Sequence, residues 1–120
     1  MAKKILIADD SAFMRLTLRD ILTKGGYDVA GEAETGEEAV KQAKHLKPDL
    51  ITMDIVMVGG GGIEAVKNLI GHDPRVKILM VSAMGQQALM IEAIQAGAQG
   101  FITKPFNAEQ VIAEVKRIIG

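Results

Sequence analysis

Cysteine is absent, so disulfides and thiolate metal sites are excluded. There are only two histidines, isolated from one another, which argues against a structural zinc site. No segment approaches the ~18 consecutive apolar residues that a membrane span requires. The opening "MAKKILIADD" lacks the long apolar region of a signal peptide. A marked excess of charge is also missing: the formal net charge is -1, which gives no reason to expect nucleic acid or a membrane surface as a partner. What remains, 120 residues with 48% apolar and 24% charged, is an ordinary composition for a folded domain with a real core. The expectation is one cytoplasmic domain over residues 1–120.

Four short apolar runs stand out: "KILIA" (4–8), "DLITM" (49–53), "KILMVSA" (77–83) and "GFIT" (100–103). A fifth, "YDVAGEA" (27–33), is more polar, as an edge strand would be. Several are nearly continuous rather than alternating, which suits strands covered on both faces. Helical patterns lie between and after them. Residues 11–24 align Met14, Leu18, Ile21 and Leu22. Residues 36–47 align Ala39, Ala43 and Leu46 behind a Thr35–Glu38 capping box. Residues 63–70 align Ile63, Val66, Leu69 and Ile70, and residues 86–96 stop at Gly97. Residues 108–119 align Val111, Val115, Ile118 and Ile119 behind Asn107 as N-cap. Five βα units in strict alternation imply an α/β fold, a doubly wound parallel five-stranded sheet with helices on both faces.

In such a sheet, functional groups gather at the carboxyl ends of the strands. After the first strand come Asp9 and Asp10, after the third Asp54, after the fourth Ser82, and after the fifth Lys104 and Pro105. Each has an ordinary explanation alone: Asp10 as a helix cap, Asp54 in a loop, Ser82 as a strand-end hydroxyl, Lys104 in solvent. Their convergence does not. Two like charges about 4 Å apart cost on the order of 4 kcal/mol at an effective dielectric near 20, so three carboxylates together call for a cation. An all-oxygen, hydrated donor set suits Mg²⁺, and Lys104 can offset a further charge or meet an anion.

The segments "ILIADDSAFMR", "DLITMDI", "ILMVSAMG" and "GFITKPF" resemble the receiver domain of two-component response regulators. The acidic pair, central Asp, Ser/Thr and Lys-Pro occur in the family's order and span the chain, which is highly specific. With no output domain attached, the resemblance is to single-domain chemotaxis regulators. It implies a flavodoxin-like strand order 2-1-3-4-5. It implies Asp54 as phosphoryl acceptor, and Asp10 and Asp54 as Mg²⁺ ligands assisted by Asp9 and by the Val56 carbonyl. Ser82 and Lys104 would contact the phosphoryl oxygens, Phe101 would stand for the aromatic switch, and Lys104–Pro105 would be cis. The implied protein is a signalling switch, not an enzyme beyond its own Mg²⁺-dependent phosphorylation and dephosphorylation. Its partners would be a histidine kinase as donor, a flagellar motor switch protein and a phosphatase. It would act as a monomer.

Rival readings fit less well. A flavin or nucleotide binder wants phosphate donors after the first strand, where "ADDSAFMR" offers two acids. A haloacid-dehalogenase-type phosphatase wants a second aspartate two residues past the first, where Val56 stands. A degenerate receiver acting only as a binding module stays open as an alternative.

The four glycines Gly59, Gly60, Gly61 and Gly62 fit no phosphate-loop spacing. Relatives carry a pattern like Pro-x-x-(Asp/Asn)-Gly here, so Val58 replaces the proline and only Gly62 conforms. The expectation is a loosened hinge over Val58–Gly62 that costs stability and weakens metal binding. Met84 and Met90, with Leu89, suit either an adaptable partner surface or ordinary packing. His45 and His72 read as solvated.

Overall fold

A computed structural model describes residues 2–57 and 61–120. The ten elements alternate strictly: β1 (Lys4–Ala8), α1 (Ala12–Lys24), β2 (Asp28–Ala33), α2 (Gly36–Leu46), β3 (Leu50–Asp54), α3 (Gly62–His72), β4 (Ile78–Ser82), α4 (Gln87–Ala96), β5 (Gly100–Thr103) and α5 (Ala108–Ile119). All neighbouring strands pair in parallel, in the order β2-β1-β3-β4-β5. Parallel pairing sends every strand's carboxyl end to one edge, so residues distant in sequence meet there.

Successive strand side chains point to opposite faces, and both faces are covered. Leu6, Ala8, Ile51, Met53, Ile78 and Met80 form one core layer with residues of α2, α3 and α4. Ile5, Ile7, Leu50, Leu79, Val81 and Ile102 form the other, with Leu18 and Leu22 of α1 and Val111 and Val115 of α5. Every residue of β3 and β4 is buried, which accounts for their apolar runs. Removing one such side chain down to Ala costs about 2–5 kcal/mol. β2 is the more polar edge strand, mostly half-buried.

Local chemistry sets the boundaries. Ser11 caps α1 by accepting from the Met14 N–H, and Asn107 caps α5 in a complete capping box with Gln110. At α2 the expected box is only half made. Thr35 accepts from the Glu38 N–H, but the Glu38 carboxylate accepts from Gln42 Nε2 one turn on instead of reaching back. Gly97 ends α4 at φ 125°, a left-handed geometry that glycine adopts without strain. The two methionines separate: Met90 is buried beneath α4, and Met84 is exposed ahead of it. The adaptable surface therefore cannot include Met90, because its side chain fills the core.

The glycine-rich segment departs from the hinge expectation where it is described. Gly61 is the N-cap of α3 with an extended backbone. Gly62 is buried, and its N–H donates to the Ile55 carbonyl at 2.8 Å. A β-carbon on Gly62 would overlap the Asp54 carbonyl oxygen and lie 2.9 Å from the Ile55 α-carbon. Gly62 is thus a site of close backbone approach, not a loosened joint. The rest of the hinge expectation, at Val58, Gly59 and Gly60, lies outside the described residues. Among those described, no helix is long and apolar enough to cross a membrane.

Candidate functional site

The carboxyl edge of the sheet gathers the five residues named from sequence. Asp54 is itself the last residue of β3, paired opposite Val81, so its carboxylate starts from a fixed backbone. Asp9 follows β1, anchored by its N–H to the Ala33 carbonyl at 3.0 Å. Its Oδ1 accepts from the Ser11 N–H at 2.9 Å, and the side chain is buried. Asp10 is exposed. One carboxylate oxygen from each of Asp9, Asp10 and Asp54 lies within 4.8 Å of the others, a grouping able to hold a metal ion.

Lys104 reaches this cluster from the end of β5. Its Nζ donates to Asp9 Oδ2 at 3.4 Å and forms an ion pair with Asp54 Oδ2 at 3.7 Å. The Lys104 N–H donates to the Ser82 carbonyl at 2.7 Å, which ties the β5 loop to the end of β4. The Lys104–Pro105 peptide is cis, as the resemblance implied. One ammonium against three carboxylates leaves the site net negative, so the oxygen set still calls for a cation.

The electrostatics register this imbalance. Burial, then repulsion from Asp9, pushes Asp54 up to about 6. The Lys104 charge and the Val56 N–H pull the other way, and Asp10 adds a further upward push. Ser82 is fully buried, and its Oγ has no hydrogen-bond partner among the described residues. A hydroxyl in that state carries an unmet desolvation cost, so it is ready to bond a group arriving at the site.

Phe101 lies on β5 with its side chain about half exposed. It lines an open groove of about 550 Å³ with Met84, Thr103, Lys104 and Pro105. Val56, just past Asp54, is also exposed. Thr52 was not singled out from sequence. Its hydroxyl is buried two residues before Asp54 with no partner among the described residues, and a threonine inside an apolar strand gives no warning of that.

Residues 5–116 match the model of the response regulator receiver domain. The chain belongs to that family. It is similar to the chemotaxis protein CheY of Thermotoga maritima, 54% identical over 118 residues and covering 98% of each chain. CheY of Bacillus subtilis is 50% identical over 119 residues, covering 99% of each. Among solved structures, the CheX-CheY-BeF3-Mg²⁺ complex from Borrelia burgdorferi has a chain that superposes with a TM-score of 0.92 at 32% identity, covering 98% of this chain and 90% of that one. The receiver is thus closely related to the chemotaxis CheY regulators, consistent with a phospho-accepting response regulator of a chemotaxis two-component system.

Proposed function

We propose that Asp54 is the phosphoryl acceptor of this receiver, and that Asp9, Asp10 and Asp54, with the Val56 carbonyl, hold Mg²⁺. The observation that carries the reading is the meeting of three carboxylates within 4.8 Å, with Lys104 Nζ against two of them. The donor set is all oxygen and partly open to water through Asp10, which fits Mg²⁺ better than softer metals. When bound, Mg²⁺ supplies charge neutralisation for the phosphoryl oxygens.

The chain's own residues do the rest. An Asp54 carboxylate oxygen forms a bond to phosphorus as the phosphorus–nitrogen bond of a phosphohistidine donor breaks. The electron pair of that bond stays on the imidazole nitrogen. Transfer of this kind asks mainly for positioning and charge, and the fixed end of β3 supplies the first. Lys104 supplies the second by meeting a phosphoryl oxygen. Ser82 Oγ, unpartnered among the described residues, donates to another, and Phe101 turns inward as Ser82 moves. The charge change at the site thereby reaches the groove lined by Phe101 and Met84. A histidine kinase donates the group, a flagellar motor switch protein reads it, and a phosphatase removes it. The receiver acts as a monomer.

Intact-mass measurement after acetyl phosphate treatment tests the assignment. Wild type gains one phosphoryl mass only with Mg²⁺, and Asp54→Asn gains none. Equal labelling of both proteins sinks the assignment. Mg²⁺ binding with no labelling of wild type favours the binding-module alternative.

A further inference from the structure

Arg15 lies on α1 outside the acid cluster, yet its side chain is largely buried and each of its three guanidinium nitrogens faces an oxygen. Nη1 donates to the Asp9 backbone carbonyl at 2.8 Å, and Nε donates to Glu32 Oε1 at 3.0 Å. Nη2 lies 3.6 Å from Glu34 Oε1. Glu32 is held in turn: Arg19 Nε donates to its second carboxylate oxygen at 2.7 Å, and Gln42 Nε2 of α2 donates to its backbone carbonyl at 2.6 Å. A relay from α2 and β2 therefore ends on Arg15, and Arg15 alone reaches the carbonyl of the first acid.

That carbonyl belongs to the Asp9–Asp10 peptide plane. The plane's tilt sets where Asp10 leaves the chain, and among the described residues no side chain holds the Asp10 carboxylate. The Asp9 carboxylate has its own anchors in Ser11 N–H and Lys104. Asp10 has none among the described residues, so its place among the three acids depends on the backbone.

We propose that Arg15 is a positioning residue for the metal: oriented by Glu32, it fixes the Asp9–Asp10 peptide so that the Asp10 carboxylate is delivered beside Asp9 and Asp54. This rests on the Mg²⁺ reading of the acid cluster. Arg15 touches neither metal nor phosphoryl group and acts only through the backbone. A planar fork suits the task, since one guanidinium spans a carbonyl and a carboxylate at once and a lysine ammonium cannot hold both in fixed geometry. Outer groups that orient metal ligands are worth roughly tenfold or more in affinity.

Arg19 provides the internal control, because it shares Glu32 but makes no bond to Asp9. The experiment titrates MgCl₂ into metal-free wild type, Arg15→Gln, Arg15→Lys and Arg19→Gln, following amide NMR shifts and heat of binding, with thermal unfolding of each. Arg15→Gln weakens Mg²⁺ on the order of tenfold and shifts the Asp10 amide before metal is added. Arg19→Gln lowers stability and leaves Mg²⁺ affinity unchanged. Phosphorylation of Arg15→Gln returns to the wild-type rate at saturating Mg²⁺. Should Arg15→Gln not fold, the same comparison is read on Arg15→Lys. Wild-type affinity in the Arg15 variants, or equal weakening by Arg19→Gln, overturns the proposal while leaving the metal site intact. Absence of Mg²⁺ binding to wild type overturns the site reading and this inference with it.

Discussion

Gly62 packs its α-carbon against the peptide of Asp54, so closely that an added β-carbon would lie 3.0 Å from the Asp54 carbonyl carbon and closer still to its oxygen. The first residue of α3 and the last of β3 thus share a contact only glycine permits. The neighbouring Gly61 is different. Its φ is -65°, and among the described residues a β-carbon there would meet only the Ile55 carbonyl oxygen at 3.7 Å.

The two glycines therefore respond differently to the same substitution. Gly62→Ala forces the β3 end and α3 apart and costs about 1–3 kcal/mol, as overpacking does. Because the displaced peptide belongs to Asp54, it also weakens Mg²⁺ binding. Gly61→Ala meets no such clash; the gain of about 0.4–1 kcal/mol from restricting the unfolded chain is offset by alanine's poor standing at an N-cap, so its midpoint stays near that of wild type. Denaturant midpoints of the two variants check this, and a Gly62→Ala protein as stable as wild type would refute the close-approach account.

Asp54 makes the metal-free protein sensitive to pH. Its folded value is raised from 3.8 to about 6, by burial first and by Asp9 second. Between those values the native state holds more protons than the unfolded state, so stability falls as pH rises. The contribution is whole below about 4 and is lost as pH climbs through about 6. At pH 7.5 the ionised group costs on the order of 1–2 kcal/mol once solvent screening is allowed for. Asp54→Asn should therefore melt a few degrees above metal-free wild type at pH 7.5, with the gap closing toward pH 4.5. Saturating Mg²⁺ should narrow the gap at pH 7.5 by stabilising wild type alone. A gap that widens on acidification contradicts the assigned direction.

Lys104 is the cation that restrains this shift, lying 3.7 Å from Asp54 Oδ2 and 3.4 Å from Asp9 Oδ2. Lys104→Met removes the charge and keeps most of the stem. The Asp54 carboxyl should then titrate at a higher pH than in wild type, followed by ¹³C NMR of the side chain. Stability near pH 7.5 should fall, because three acids are left facing one another. Phosphorylation should slow even at saturating Mg²⁺, since in the proposed reaction the lost ammonium would meet the transferring group and not the metal. A titration unchanged by the substitution would mean that Lys104 points away from Asp54 in solution.

How far the sequence foretold this arrangement depended on the range of the interaction involved. β3 and β4 were legible because burial on both faces leaves an uninterrupted apolar run. Asp9, Asp54, Ser82 and Lys104 were legible because parallel topology delivers every strand end to one edge. The strand order itself came from family resemblance, since alternation alone does not fix it. Glu38 was misjudged because a nearby partner, Gln42 one helical turn away, competes with the backbone for the same carboxylate. Met90 and Met84 could not be separated by composition, and only the packing of α4 on the sheet buries one and exposes the other. Arg15 was invisible for a stronger reason: its partners Glu32 and Glu34 come from β2 and its end, and the bond to Asp9 goes to a carbonyl that every residue possesses.

Two buried hydroxyls give the sharpest separation between structure and signalling. Thr52 Oγ1 and Ser82 Oγ are both buried without a partner among the described residues, although they sit in adjacent central strands. Burying a hydroxyl unpaired costs about 1–3 kcal/mol, so removing either should stabilise the metal-free protein by about 1 kcal/mol. Thr52 lies inside the sheet, between Ile7 and Leu79, and has no route to an arriving phosphoryl group. Ser82 stands at the strand end beside Lys104, where such a group would come. Thr52→Val should accordingly raise the melting temperature and leave both phosphorylation and its downstream effect intact. Ser82→Ala should raise it similarly but lose the response: amide shifts around residues 83–106 on beryllofluoride addition should shrink, with the site still occupied. Thermal unfolding and beryllofluoride-induced NMR shifts, run on both variants, separate the two roles. If Ser82→Ala responds to beryllofluoride as wild type does, its unpaired hydroxyl is only a packing defect and the coupling to Phe101 must run through another group.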